Sequence, residues 1–242
     1  MKPNLTITNL KKVYNKQVIF QNLSMSIPLN QITCILGPSG CGKTTLLNLI
    51  SGVEKEDSGK LDEFHGQTFS YVFQDSRLLP WKSIRENLEF VLKNKYSSSK
   101  RKELINNYLD MVGLGDFKHY YPERLSGGMK QRAAIARAFV YPSDILVMDE
   151  PFKGLDIKTK KHIMKKFLEL WYEDKRTVIF VTHDIEECLM IADKILVLSH
   201  PPSEVNYEGY IDIPRNERNM DDIRIKEIEN SINQVFFEST DI

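Results

Sequence analysis

The chain opens with short runs in which apolar and polar positions alternate. Leu5 and Ile7 form the first, and Val18, Phe20, Leu23, Met25 and Ile27 fall in a second and a third. A period of two buries one face of a strand, so this region predicts an antiparallel sheet. From Gln31 the pattern changes. Residues 32–36 form a short, mostly apolar run, residues 37–42 are Gly-rich, and residues 45–50 are mostly apolar again. That order reads as strand, tight turn, helix. Strand-sized apolar runs recur at 145–148, 178–181 and 195–198, beside helical stretches at 158–172 and 185–191. Strands alternating with helices predict a mostly parallel α/β sheet. Residues 80–140 carry helical spacing (Ile84, Leu88, Val91, Leu92; Leu104, Tyr108, Leu109, Val112) and no clear strand. They predict a helical insertion, with the polar run 93–102 as a loop. Ile225, Ile228, Ile232 and Phe236 predict a last helix within 221–237, closing on the core.

Composition narrows the function. A chain of 242 residues can bury a full core without disulfides or metals. Lys plus Arg total 33 and Asp plus Glu total 33, which excludes the basic excess of a non-specific nucleic-acid binder. Cys34, Cys41 and Cys188 are widely spaced with no C-x-x-C pair. Neither a disulfide framework nor a structural zinc site is expected, and a reducing compartment is. The first ten residues lack the apolar segment of a signal peptide, and no apolar run reaches membrane-spanning length. The chain is not expected to span a membrane by itself.

Three segments carry chemistry. Gly37-Pro38-Ser39-Gly40-Cys41-Gly42-Lys43-Thr44-Thr45 fits G-x-x-x-x-G-K-[ST] between a strand and a helix. In such a loop backbone N–H groups face phosphate oxygens, Lys43 reaches the β- and γ-phosphates, and Thr44 ligates Mg²⁺. Cys41, close to a helix N-terminus, is expected to have a lowered thiol pKa and to be alkylated unless ATP protects it. Asp149 and Glu150 end an apolar strand, where Asp149 can hold Mg²⁺ and Glu150 can take a proton from an attacking water. Ser126-Gly127-Gly128 opens an Ala-rich helix, with Ser126 as N-cap, and makes a second anion-binding helix start.

Leu125-Ser-Gly-Gly-Met-Lys-Gln-Arg132 resembles the signature motif of ATP-binding cassette (ABC) ATPases. The order of segments matches too: P-loop, Gln74, signature, Asp149-Glu150, His183. The resemblance covers Leu5 to about Ser199. It implies an α/β P-loop cassette with a mostly parallel core, an N-terminal antiparallel β subdomain and an inserted helical subdomain. The core is expected over 1–75 and 141–242, and the helical subdomain with the signature over 76–140. Two copies are expected to pair head-to-tail, with ATP between the P-loop of one and Ser126–Gly128 of the other. By the same resemblance Tyr14 stacks on adenine, Gln74 senses Mg²⁺ and the γ-phosphate, His183 contacts the γ-phosphate and holds water with Glu150, and Asp156 reaches across the pair. His65, His119, His162 and His200 have no assigned role. The family usually has a small residue and then Ala before Leu-Asp, whereas this chain has Lys153-Gly154-Leu155-Asp156. Lys153 is expected either at the dimer seam or in solvent.

Phe73-Gln74-Asp75-Ser76-Arg77-Leu78-Leu79-Pro80-Trp81, with Tyr121-Pro122 and Glu150-Pro151-Phe152, resembles the importers for nitrate, sulfonate and taurine. The resemblance implies an ATP-hydrolysing subunit on the cytoplasmic face of the cell membrane. Its implied partners are permease subunits and, indirectly, an extracytoplasmic substrate-binding protein, with no nucleic acid. Leu78, Leu79, Pro80 and Trp81 either border a groove for a permease helix or pack the helical insertion onto the core. The rival readings are a soluble non-transport ABC ATPase and a stand-alone exporter cassette. The stretch from Lys43 to Ser126 is too short, and too poor in heptads, for the coiled coil of a DNA-repair version.

Overall fold

The computed structural model describes residues 4–238, and residues 1–3 of the N-terminal stretch lie outside the described residues. Strands β1 (Asn4–Tyr14) and β2 (Gln17–Pro28) come first, then β3 (Ile32–Leu36), α1 (Lys43–Ile50) and β4 (Ser58–Lys60). The middle of the chain forms β5 (Phe69–Val72), α2 (Ile84–Leu92), α3 (Ser98–Met111), α4 (Gly127–Val140), β6 (Ile145–Asp149) and α5 (Ile157–Glu173). The rest forms β7 (Thr177–Thr182), α6 (Ile185–Ile191), β8 (Lys194–Leu198), β9 (Val205–Tyr210) and α7 (Ile223–Glu238). These elements gather into two compact units, one from residues up to 67 and from 177 onward, the other from 68–176.

In the first unit β1 pairs antiparallel with β2, in register from Asn4↔Pro28 to Tyr14↔Gln17, and β4 joins its other edge. The second and third polar–apolar stretches expected from the sequence are one twelve-residue strand. Its phase is carried across irregularities in the β1–β2 register rather than broken by a turn. A separate sheet places β3 between β7 and β8, both parallel to it, with β9 antiparallel on the far edge of β8. All five residues of β3 are buried, as a strand covered on both faces requires. Lys194 at the start of β8 is wholly buried. Its ammonium donates to the Ser26 carbonyl (2.7 Å) and hydroxyl (2.9 Å) and pairs with Glu208 at 2.7 Å. A buried cation persists only with such partners, and here they tie β8 to β2 and β9. The buried Arg218 guanidinium donates to the carbonyls of Ala192 (2.7 Å), Leu189 (3.0 Å) and Ile213, fixing the end of α6 to the chain that leads into α7. Ile225 and Ile232 of α7 are wholly buried, as their spacing predicts.

In the second unit β5 and β6 are parallel, from Phe69↔Ile145 to Val72↔Met148. No strand lies within residues 80–140, which form α2, α3 and α4 as expected. The loop expected at 93–102 is shorter. Ser97 caps α3, its hydroxyl accepting from the Lys100 N–H at 3.4 Å. Polar residues 98–102 are thus the exposed first turn of a helix, a face that polarity alone does not distinguish from a loop. Phe167 of α5 makes edge-to-face contacts with Phe139 of α4 (5.7 Å) and with Phe152 (6.4 Å).

Candidate functional site

The Gly-rich turn occupies the carboxyl end of β3. Gly42 has φ +94°, and a Cβ there would lie 2.5 Å from the Ile19 side chain, so only glycine fits between the turn and β2. Lys43 is buried, and its ammonium donates to the carbonyls of Gly37 (2.7 Å) and Pro38 (2.9 Å). A buried cation lying across a loop, beside the first turn of α1, suits an anion with several oxygens. Ser39, Gly40 and Thr44 are exposed and Thr45 half-buried, at the mouth of this cradle. From behind, the Ser203 hydroxyl donates to the Cys41 carbonyl at 2.7 Å. Nothing in the sequence marks Ser203, because its contact spans most of the chain.

Cys41 departs from expectation. Its thiol is wholly buried, and that burial pushes its pKa up, with Lys43 pulling only partly the other way. The helix start acts on a group with no solvent to stabilise its thiolate, so the expected lowering of its pKa is corrected to a rise, and burial argues against ready alkylation.

Tyr14 ends β1 with its ring 37% exposed. Its hydroxyl bonds to Glu54 and to the Thr45 side chain, which sets the ring beside the start of α1. Burial and the Glu54 carboxylate raise its pKa. His183 follows β7, whose Thr182 is in register with Leu36 of β3. Parallel pairing thus delivers His183 and the Gly-rich turn to the same sheet edge. The turn bearing His183 is braced by a buried bond from the Thr182 hydroxyl to Glu187 (2.7 Å) and by the Asp184 N–H on the Thr182 hydroxyl (3.1 Å). Sequence reasoning missed Glu187; a carboxylate one turn into an apolar helix is its only signal.

In the second unit the same logic applies to β5 and β6. Val72 is in register with Met148, so the exposed Gln74 and the acids Asp149 and Glu150 follow adjacent strand ends. Asp149 is buried, and its charge adds to burial in raising the Tyr71 pKa. Glu150 has φ +43°, a left-handed conformation uncommon for a residue with a side chain. Lys153 is half exposed, and its side chain folds back and ion-pairs with Glu150. Arg137 of α4, missed by sequence reasoning, donates to the Arg77 (2.7 Å) and Ser76 (2.9 Å) carbonyls and ties the segment after Gln74 to the signature helix.

Ser126 caps α4, accepting the Met129 N–H at 3.3 Å. A Cβ on Gly128 would lie 2.8 Å from Thr159, so glycine lets α4 approach α5 closely. Asp156 caps α5 through the Thr159 N–H at 3.0 Å, and the Thr159 side chain first, then that N–H, hold its carboxyl below the usual range. Ser126, Gly127, Gly128 and Asp156 line one cleft of about 550 Å³ with Arg132 and His162. His162 therefore stands on the cleft wall, where its sequence gave no reason to put it.

Within the second unit, Gln74 and Asp149 offer an amide and a carboxylate oxygen, hard donors of the kind that suit Mg²⁺. On the fold and these sites the protein is a P-loop nucleotide-binding protein of the α/β class.

The comparisons with known proteins narrow that class. The ABC transporter family model matches residues 20–153. The nitrate import ATP-binding protein NrtD of Synechococcus elongatus is 40% identical over 195 residues, covering 77% of this chain and 71% of that protein. The aliphatic sulfonates import ATP-binding protein SsuB of Bacillus thuringiensis subsp. konkukian is 34% identical over 228 residues, 88% of this chain and 89% of that one. Among solved structures, the ATP-binding cassette MJ0796, dimeric in a post-hydrolysis state with ADP and Pi, matches with TM-score 0.74 and 31% identity. The match covers 86% of this chain and 99% of that one. The chain belongs to the ABC transporter family and is an ATPase of the ATP-binding cassette fold.

Proposed function

We propose that the chain is the ATP-hydrolysing subunit of an importer for a small solute of the nitrate, sulfonate or taurine kind, working with a separate membrane permease. The names of the nitrate and sulfonate relatives support that reading. Among the described residues no helix is long and apolar enough to cross a membrane, so the reading needs a membrane partner and a peripheral place on the cytoplasmic face. A binding protein outside the membrane would deliver the solute to the permease. In this reading 1–75 and 141–242 act as the catalytic core and 76–140 as the helical subdomain.

The observation that carries the catalytic reading is the buried Lys43 lying across its own loop carbonyls, a charge set for phosphate. Residues 37–45 would hold the phosphates of ATP, and Tyr14 would stack on the base. Thr44, Gln74 and Asp149 would hold Mg²⁺, which neutralises phosphate charge when bound. Ser126–Gly128 and Asp156 would close on the nucleotide of a second copy. Closure excludes water other than the reactant. Glu150 accepts a proton from that water while His183 orients it. The water oxygen bonds to the γ-phosphorus, and the bond to the bridging oxygen breaks, leaving ADP. The cleft of about 390 Å³ lined by Phe69, Tyr71, Phe73, Arg77, Leu79 and Phe90 would receive a permease helix.

Glu150→Gln tests this. The variant should still bind ATP and form a stable pair of chains with Mg·ATP, while phosphate release falls by ~10²-fold or more. A variant that stays monomeric with Mg·ATP would remove the two-copy arrangement.

A further inference from the structure

Glu150 and Lys153 are the ends of one turn, closed by the Lys153 N–H donating to the Glu150 carbonyl at 3.2 Å. The turn is held from within. Phe152 is wholly buried against Phe167, and the Gln131 amide of α4 donates to the Pro151 carbonyl. Gly154, at φ +72°, then turns the chain toward the Asp156 cap. With this backbone pinned, the Lys153 side chain is the part free to move. It is 46% exposed, against 12% for the Glu150 side chain it contacts.

The ammonium takes an acceptor position on Glu150 Oε2 and so competes with a water for that oxygen. We propose that Lys153 is a positioning residue that holds the Glu150 carboxylate inside the turn in the resting chain, and that this contact opens before Glu150 accepts a proton. The inference rests on reading Glu150 as the proton acceptor. The ion pair thereby acts as a brake on hydrolysis. The pair is partly exposed, so the brake is mild, roughly two- to fivefold in rate.

The experiment measures turnover of the full-length chain at saturating Mg·ATP. Lys153→Met, which keeps the length of the side chain and removes its charge, should raise kcat about two- to fivefold with KM unchanged. Lys153→Arg, which keeps the charge, should return kcat to the parent value. A thermal midpoint unchanged in Lys153→Met assigns the rate change to the lost contact rather than to altered folding. A kcat that is unchanged or lowered in Lys153→Met, or an Arg variant as fast as the Met variant, overturns the proposal. Glu150→Gln separates the two layers. Parent-like turnover in Glu150→Gln would remove the reading of Glu150 itself. Lost turnover there, with Lys153→Met no faster than the parent, would remove the brake alone.

Discussion

Cys34 sits in the middle of β3 with its thiol wholly buried, and burial first, then the neighbouring Cys188, pushes its pKa well above the ordinary thiol range. Cys41 is shifted the same way by burial. In the unfolded chain a thiol ionises near pH 8.5. Above that point the folded chain still holds protons that the unfolded chain has released, so unfolding is favoured as pH rises. The urea midpoint should therefore decline between about pH 8 and pH 10, and decline less steeply in Cys34→Ala. Equilibrium unfolding at several pH values checks both. The same two cysteines mark where residue-level reading stops. The sequence places Cys41 beside a helix start, which argues for a reactive thiol. It does not reveal that the sulfur is wholly buried, packed beside Gly37, which argues more strongly against one. Lys43 is legible because its neighbours in sequence are its neighbours in space.

At the scale of elements, Asn87 shows how much a helix can organise outside itself. It is wholly buried in α2. Its amide oxygen accepts the Leu79 N–H at 2.7 Å, and its nitrogen donates to the carbonyls of Ser83 (2.9 Å), Lys82 (3.1 Å) and Leu79 (3.2 Å). One side chain thus shapes the segment 79–83 ahead of the helix. The Ser83–Glu86 capping box fixes the helix start itself. Asn87→Ala takes this partner from the Leu79 N–H and a donor from the carbonyls of Leu79, Lys82 and Ser83, at a cost of ~1–3 kcal/mol. The thermal midpoint should fall by about 2–4 °C per kcal/mol lost, with ATP binding at the Gly-rich turn unchanged. Calorimetry and nucleotide titration read the two effects separately. Periodicity located α2 and α3 because both have one apolar stripe. It missed β4 and β9, which lie exposed or half-exposed at sheet edges and have little apolar pattern to show.

At the scale of the whole molecule the exposed aromatic side chains acquire meaning. Trp81 is 70% exposed and Phe90 59%, so Trp81 does not serve to pack the helical segment onto a core. Leu78 is buried and Leu79 half-buried, leaving an apolar rim beside the cleft that Leu79 and Phe90 line. An apolar rim of this kind suits a partner surface. The docking proposed above predicts that Leu79→Ala with Trp81→Ala weakens association with the permease about tenfold or more, as loss of interface anchors does. Nucleotide binding by the isolated chain should stay as it was, because neither residue belongs to the Gly-rich turn. Co-purification of the variant with membrane subunits is the measurement, and undiminished capture would refute the docking.

Local chemistry is legible along the chain: the Gly-rich loop, the capped signature helix, the acids at a strand end and the histidine after another. Each depends on residues a few positions apart, where backbone geometry follows from residue type. Burial and partners came from how the folded segments pack. That packing closed Cys41 from solvent, set Ser203 and Glu187 as braces, put His162 on the signature cleft and folded Lys153 onto Glu150. Most of those outcomes depend on which distant segments pack together, and even the Lys153 contact needed a turn pinned by Phe152 and Gln131. A pattern read along one chain carries no such distances.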